Sequence, residues 1–415
     1  MRQNQQTGPL LATMALPSLR SRLLRLLGLC SICSLLLTAC ADISTITASQ
    51  VCQTPATDSD WRVSTAVDAG FDPAALCKSL TEAAQGKVSV HAVLVERHGQ
   101  LVAELYRPGP DRSIKTLYGL WPPFKFDTAF DAQTLHDVRS VSKSIVGLLY
   151  GIGLHENWAP ALDTPVLSLY PELANLRNPQ RDAITVRHLL SMRSGLVWHE
   201  WARGAIDSDE TPLYWKTQTA HYLFDRDQAA LAGSTFNYSG GNTATLADIL
   251  VRQSHQTLTE LARTRLFEPL NITQWEWISD LHDRPLAFSG LRMRPRDMLK
   301  IGRLVNNHGQ WHGRQIVPAS WMNEATRAQI DTNITLFSLN DQPEGYGYQW
   351  WTGHVMWQGR ALTWASAVGN GGQKIFVVPE LDLSIVLTAG DYGSAQIQRD
   401  ESNLLAALVA SVITR

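Results

Sequence analysis

Ser140 and Lys143 are three residues apart in the stretch Arg139-Ser140-Val141-Ser142-Lys143-Ser144. Apolar residues at helical spacing follow at once, so we expect both side chains on one face of a first helical turn. Unpaired N–H groups and the positive helix end would favour an oxyanion at Ser140. A lysine in a partly dry cleft can lose its proton and act as a base. Taken alone, a capping serine beside a solvated lysine explains the pair equally well.

Tyr238 is the second candidate, in the glycine-rich turn 236–242 that leads into a predicted helix. Its hydroxyl could project into a cleft. A cationic lysine nearby would lower its pKa and let it share the proton transfer. A tyrosine packed in a turn is the alternative, which this stretch alone favours.

A third stretch, Gly369-Asn370-Gly371-Gly372, precedes a predicted strand. Glycines at a strand edge allow close approach of a ligand, and a free N–H there could complete an oxyanion hole. The alternative is a plain bend between two strands.

In this order and spacing, the three stretches resemble the serine β-lactamase and penicillin-binding-protein superfamily. The closest resemblance is to the class C-like hydrolases, esterases and 6-aminohexanoate-dimer hydrolases. Supporting stretches lie at 184–196, 294–298 and 345–351. The resemblance implies Ser140 as the acylated nucleophile, with Lys143 and Tyr238 as general base and acid. It also implies an oxyanion hole formed by the N–H groups of Ser140 and of Gly369 or Asn370.

Two departures from the family pattern concern the substrate. The pattern Tyr-x-Asn would place asparagine at 240, where this chain has Gly240, and the third motif lacks its usual Lys, His or Thr. Both changes argue against β-lactam turnover and favour an esterase or amidase acting on a small-molecule ester or amide. Five residues are predicted to contact the substrate: Asn242, Gly371, Trp198 and Glu200 of the loop 198–201, and Trp350 of the pair 350–351. For the tryptophans, burial in the core is the more frequent explanation.

Composition excludes several other classes of protein. The chain has 415 residues and a formal net charge of −2, without the clustered basic residues of a nucleic-acid binder. It lacks a Gly-x-Ser-x-Gly elbow, a His-Glu-x-x-His helix and a phosphate loop, so we expect no metal and no cofactor.

The first forty residues are typical of an export signal. Arginines precede the apolar run Leu26 to Leu37, which is too short to span a bilayer as a mature helix. Residues 37–40 resemble the bacterial lipoprotein box. The resemblance implies a signal peptide at 1–39, acylation of Cys40 and a tether at 40–60. The protein would then be exported to the cell envelope, facing the periplasm, with its membrane contact only through this lipid anchor. An ordinary cleaved signal and a start at Met14 are the alternatives.

All five cysteines precede residue 78. An oxidising compartment would permit a disulfide between Cys52 and Cys77, which would tie the N-terminal segment to the first helix.

The element pattern predicts an α/β protein of the α+β type: an antiparallel sheet flanked by helices, with an inserted all-helical lobe, like β-lactamases and transpeptidases. A helix capped by Asp72, a hairpin around His98-Gly99, a helical middle, late strands and a closing helix follow one another. We assign 61–415 to one hydrolase domain, with a sheet lobe at 61–135 and 281–415 and a helical lobe at 136–280. The site should lie between them.

Two other functions fit the same resemblance. One is a non-catalytic envelope protein that binds cell-wall peptide or an acyl ligand, which the altered second and third motifs favour. The other is a peptidoglycan D,D-carboxypeptidase or β-lactamase, which fits the location but lacks the usual third motif.

Overall fold

The computed structural model describes residues 51–57, 60–116, 124–200, 208–337, 339 and 344–413. The predicted signal peptide and Cys40 lie outside these residues, as does Trp201. The described end of the predicted tether packs on the domain: Val51 is buried, and Cys52 forms a disulfide with Cys77, with 5.2 Å between their Cα atoms. Within the described residues, no helix combines the length and the apolar character needed to cross a membrane.

A nine-stranded sheet carries the fold, in the order β1-β3-β2-β16-β15-β14-β13-β12-β11. Only the edge pair β1–β3 is parallel. The strands of the described residues are β1 Arg62–Val63, β2 Val90–Arg97, β3 Gln100–Tyr106, β4 Gly109–Asp111, β5 Phe126–Thr128, β6 His136–Asp137, β7 Trp275–Trp277, β8 Leu291–Met293, β9 Gln310–Trp311, β10 Arg314–Gln315, β11 Ile330–Asp331, β12 Gly345–Tyr346, β13 Trp351–Trp357, β14 Arg360–Gly369, β15 Gln373–Val378 and β16 Leu383–Ala389.

The early hairpin and the late strands share this sheet, as the sequence predicts, because β2 pairs with β16. His98 and Gly99 both have positive φ, 54° and 75°, which suits a tight turn between right-twisted strands. Residues 347–350 belong to no strand, because Tyr346 ends β12 and Trp351 begins β13.

Helices cover both faces of the sheet. The helices of the described residues are α1 Pro73–Ala84, α2 Val141–His155, α3 Pro179–Asp182, α4 Val186–Leu190, α5 Thr219–Phe224, α6 Gly240–Ser254, α7 Leu258–Ala262, α8 Pro295–Asn306, α9 Ala319–Ala325 and α10 Ala395–Ala410. Successive strand residues point to opposite faces. Leu94 therefore joins the core that contains α2 and α8, whereas Val93 and Val95 join the core beneath α1 and α10. The predicted α+β architecture with flanking helices is confirmed.

Asp72 caps α1 as predicted, because its Oδ1 accepts hydrogen bonds from the N–H groups of Ala74 (2.9 Å) and Ala75 (3.2 Å). The helical middle is bounded by a small sheet that the sequence pattern does not predict, in the order β6-β8-β7. This small sheet matters for the site because β6 leads directly into the turn before Ser140.

Candidate active site

A sharp turn between β6 and α2 presents Ser140. Arg139 has a φ of 51°, which is uncommon for a residue with a side chain and reverses the chain direction within one residue. The strand before it is fixed by buried Asp137, which accepts hydrogen bonds from the N–H of Ile114 (2.6 Å) and from Nε of Arg292 (2.6 Å). Ser140 therefore lies at the N-terminal end of α2, as expected.

Lys143 lies one turn further along α2, on the same face. Its Nζ donates to Oγ of Ser140 over 3.0 Å and to the carbonyl oxygen of Phe288 over 2.9 Å. The lysine is 1% exposed, while Ser140 keeps part of its surface open. A reactant could thus reach the hydroxyl but not the amine behind it.

Tyr238 completes this group from the turn before α6. Its phenol is hydrogen-bonded to the Ser140 side chain, and its ring centroid lies 4.9 Å from Nζ of Lys143. Stacking on Trp351, with 5.6 Å between ring centroids, holds the ring. Three segments far apart in sequence thereby bring a hydroxyl, an amine and a phenol together.

Two carboxylates lie against Lys143, and the sequence indicated neither of them in this position. Oε1 of Glu200 is 3.3 Å from Nζ, and Oε2 of Glu210 is 3.7 Å from it. Glu200, which the sequence predicts to contact the substrate, has a side chain that is 5% exposed and faces the lysine. Glu210 precedes a short 3₁₀ turn, Thr211–Tyr214, and no motif or periodicity marks it.

These charges determine the protonation state of the lysine. Burial acts to lower the pKa of Lys143, but Tyr238 and the two carboxylates outweigh it and raise this pKa above its ordinary value. The sequence predicts a lysine that loses its proton readily. The structure instead favours an ammonium at rest, because an opposite charge within a few ångströms stabilises the charged form.

The carboxylates themselves divide into one acid and one anion. Burial and the Glu200 charge raise the pKa of Glu210 well above its ordinary value. The pKa of Glu200 is lowered: burial opposes this, but the Lys143 charge and a hydrogen bond from Glu210 outweigh it. Two carboxyl groups this close to each other cannot both ionise easily, so the pair holds one proton.

Tyr238 is a neutral phenol at rest. Burial raises its pKa, and the positive charge of Lys143 offsets only part of that rise. The lowered value expected from the sequence is therefore wrong, because burial of the ring outweighs the lysine.

The third predicted stretch reaches the same place through Gly369. A Cβ there would lie 2.2 Å from the carbonyl oxygen of Val138 and 3.1 Å from Cβ of Arg139, so β14 ends against the turn that presents Ser140. Asn370 is exposed, and its Oδ1 accepts a hydrogen bond from the N–H of Gly393 (2.8 Å). Gly371 has a φ of 89° and packs against the ring of Tyr392.

Three predicted substrate contacts are buried. Asn242 has no exposed surface, and its Nδ2 lies 3.6 Å from Sδ of Met192. Trp350 is wholly enclosed in the core around α2. Trp198 is 4% exposed and donates from Nε1 to Oε2 of Glu200 over 2.6 Å. None offers a substrate a surface; Trp198 fixes Glu200 instead. Among the described residues, no three His, Cys, Asp or Glu side chains form a group that could hold a metal ion.

The chain is similar to several known proteins. The chain is 25% identical over 312 residues to a 6-aminohexanoate-dimer hydrolase of Paenarthrobacter ureafaciens, covering 71% of each chain. A solved structure described as a candidate 6-aminohexanoate-dimer hydrolase from Bacillus anthracis superimposes with a TM-score of 0.61. It shares 22% identity and covers 78% of this chain and 79% of its own.

A second solved structure, EstCE1, is a hydrolase with promiscuous acyltransferase activity. It superimposes with a TM-score of 0.59 at 16% identity, covering 80% of this chain and 99% of its own. The two structural matches show a shared fold. The model of the β-lactamase family matches residues 78–409, which is most of the chain. The match includes Ser140, Lys143 and Tyr238, and this protein belongs to the β-lactamase family of serine hydrolases and penicillin-binding proteins.

Proposed function

We propose that this protein hydrolyses small-molecule esters or amides through an acyl-enzyme on Ser140. The observation that carries the proposal is the contact of Ser140 with both the amine of Lys143, 3.0 Å away, and the phenol of Tyr238. A nucleophile within hydrogen-bonding distance of two groups that can move its proton is the arrangement that acyl transfer needs.

The reaction would take place in two steps. Oγ of Ser140 attacks the carbonyl carbon while its proton passes to Lys143, and Tyr238 delivers a proton to the leaving group. The N–H groups of Ser140 and of Gly369 or Asn370 would stabilise the tetrahedral oxyanion. Water then attacks the acyl-serine and releases the acid, which restores the hydroxyl.

The choice of esters and amides over β-lactams rests on the third motif. Where the family has Lys, His or Thr to hold an antibiotic's carboxylate and amide, this chain has Gly369, Asn370 and Gly371. The side-chain oxygen of Asn370 already accepts a hydrogen bond from the N–H of Gly393. The relatives point the same way, since one is a 6-aminohexanoate-dimer hydrolase and another a hydrolase with acyltransferase activity.

Turnover of a p-nitrophenyl ester tests the proposal. We expect wild type to release p-nitrophenol and Ser140→Ala to fall to the background rate. Ser168→Ala, which removes an exposed serine hydroxyl that binds only the carbonyl of Pro165, should match wild type. Equal turnover by wild type and Ser140→Ala would reject the proposal.

We also propose that the protein is exported and anchored through acyl-Cys40. The disulfide between Cys52 and Cys77 supports an oxidising compartment. Radiolabelled palmitate should enter the wild-type chain but not Cys40→Ser, and Cys40→Ser should leave the membrane fraction. Unchanged fractionation and labelling would reject the anchor.

A further inference from the structure

Three oxygen atoms lie close to the ammonium of Lys143. These are Oγ of Ser140 at 3.0 Å, the carbonyl oxygen of Phe288 at 2.9 Å and Oε1 of Glu200 at 3.3 Å. An ammonium nitrogen has no lone pair with which to take the Ser140 proton. Before Lys143 can act as a base, one of its protons must leave.

Glu200 is the neighbour positioned to take that proton. Its other oxygen, Oε2, is fixed by hydrogen bonds from the N–H of Gly240 (2.8 Å) and from Nε1 of Trp198 (2.6 Å). The carboxylate is therefore held in one orientation, with Oε1 next to the amine. The carbonyl of Phe288 cannot serve, because an amide oxygen is far too weak a base.

Glu210 connects this acceptor with solvent. Its side chain is 22% exposed, compared with 1% for Lys143 and 5% for Glu200. It is also hydrogen-bonded to Glu200. A proton on Glu200 can thus pass to Glu210 and reach water.

We propose that Glu200 and Glu210 act together as the proton acceptor of Lys143, and so as positioning residues for the reaction proposed above. An N–H bond of Lys143 breaks and an O–H bond forms on the carboxylate pair. The O–H bond of Ser140 then breaks, its proton restores the ammonium, and the oxygen electron pair forms the bond to the carbonyl carbon. The leaving group takes a proton from Tyr238, the ammonium of Lys143 returns a proton to the phenolate, and the pair then gives its own proton back to the amine.

The same geometry accounts for the departure at Gly240. A Cβ at this position would lie 3.1 Å from Oε2 of Glu210 and 3.3 Å from Oε2 of Glu200, which is tighter than most contacts of a real Cβ. The space that an asparagine side chain would need is thus filled by the carboxylates. We infer that the pair replaces the polar side chain which the family pattern carries at 240.

The role has a pH signature of defined sign. The pair accepts a proton best when both groups are ionised, because its basicity is then closest to that of an amine. That state forms as pH rises through the raised pKa of Glu210, so kcat should rise with pH above the ordinary range of a glutamate. The other charged and titratable groups that face the pair are Lys143 and Arg139 near the start of α2, Tyr214, Tyr238 and Tyr346.

The experiment measures kcat and KM for a p-nitrophenyl ester from pH 4 to 9. It uses wild type, Glu200→Gln, Glu210→Gln and the double variant. In each single variant one carboxylate loses the repulsion of the other, so the midpoint of the rising limb should move down by about one pH unit or more. In the double variant the limb should disappear and kcat should fall ~10²-fold, with KM within about threefold of wild type.

Glu344→Gln is the matched control. It removes another buried carboxylate with a raised pKa, which accepts hydrogen bonds from the N–H groups of Leu336 and Phe337. We expect its limb to stay in place. Thermal unfolding measurements check that each variant is folded. If Glu200→Gln does not fold, Glu210→Gln still tests the proposal, because Glu210 is partly exposed.

Two failures can be told apart. If the carboxylate variants keep the wild-type kcat and midpoint while Ser140→Ala is inactive, the proton-acceptor role is rejected and the serine hydrolase stands. If Ser140→Ala itself keeps its turnover, the proposed function fails, and this inference fails with it.

Discussion

Tyr238 has two reactive neighbours, and a change of one atom separates its chemistry from its packing. Tyr238→Phe removes the phenol oxygen but keeps the ring stacked on Trp351. We expect kcat for a p-nitrophenyl ester to fall ~10²–10⁴-fold, because proton delivery is lost while the substrate still binds. KM and the thermal midpoint should change little. A variant with wild-type kcat would show that the phenol moves no proton.

Lys143→Arg tests whether the cation must give up a proton. A guanidinium keeps the positive charge beside Glu200 but does not deprotonate in proteins. Turnover should therefore fall at least ~10³-fold at every pH from 5 to 9, with no recovery at high pH. The measurement is the turnover rate of Lys143→Arg over this pH range. Recovery of activity at high pH would contradict a proton-carrying role for Lys143.

Trp350→Phe concerns a residue that the sequence suggested for the substrate and that the structure places in the core. Because the indole is fully buried, its loss should destabilise the fold by about 1–3 kcal/mol and leave KM unchanged. Urea unfolding and KM measured on one preparation test both points. A KM several-fold above that of wild type would instead indicate that Trp350 contacts the substrate.

At the scale of elements, the end of β14 must lie tightly against the turn before Ser140. Gly369→Ala places a Cβ 2.2 Å from the carbonyl oxygen of Val138, so the strand or the turn must shift. We expect kcat to fall by ~10-fold or more, since misplaced hydrogen-bond donors lose much of their effect on the oxyanion.

Gly359→Ala is the control for that change. It lies just before β14, where an added Cβ meets open space, and its positive φ makes the substitution a small cost in stability alone. Its kcat should equal that of wild type. Equal kcat values for both alanine variants would show that close approach at Gly369 is unnecessary.

For the whole molecule, two buried histidines predict how stability varies with pH. Burial lowers the pKa of His91 to about 4 and that of His136 well below 6.5. The unfolded chain takes up these protons first as pH falls, so stability is full above pH 6.5 and lost below it. His91 alone should cost about 3 kcal/mol between pH 6.5 and 4.

Urea unfolding at several pH values measures that loss. His91→Phe, which keeps a ring to stack on Phe130, should flatten the pH dependence of the free energy of unfolding between pH 6.5 and 4. A slope unchanged from wild type would mean that His91 takes up its proton equally in the folded and unfolded chains.

The sheet and its flanking helices could be predicted from the sequence because local signals mark them. Asp72-Pro73 begins a helix, His98-Gly99 turns a hairpin, and β-branched runs form the central strands. Short strands such as β6 carry no such signal, because two residues have no period. Its existence depends on a partner strand more than 150 residues later in the chain.

The candidate site divides in the same way. Ser140, Lys143 and Tyr238 lie in motifs whose spacing indicates their chemistry, and the structure brings them together. Glu210 lies in a loop where no sequence pattern predicts its position. The folded chain brings it close to Lys143, although the two residues are far apart in sequence. The protonation state of the lysine depends on this contact, so the sequence predicts the catalytic candidate Lys143 but not its charge.

The most direct test of the central claim is covalent labelling of Ser140. Wild type is treated with a fluorophosphonate, digested with trypsin and analysed by mass spectrometry. We expect one added phosphonyl group on the peptide that contains Ser140, and none in Ser140→Ala. Equal labelling of the two proteins, or a label on another residue, would contradict it.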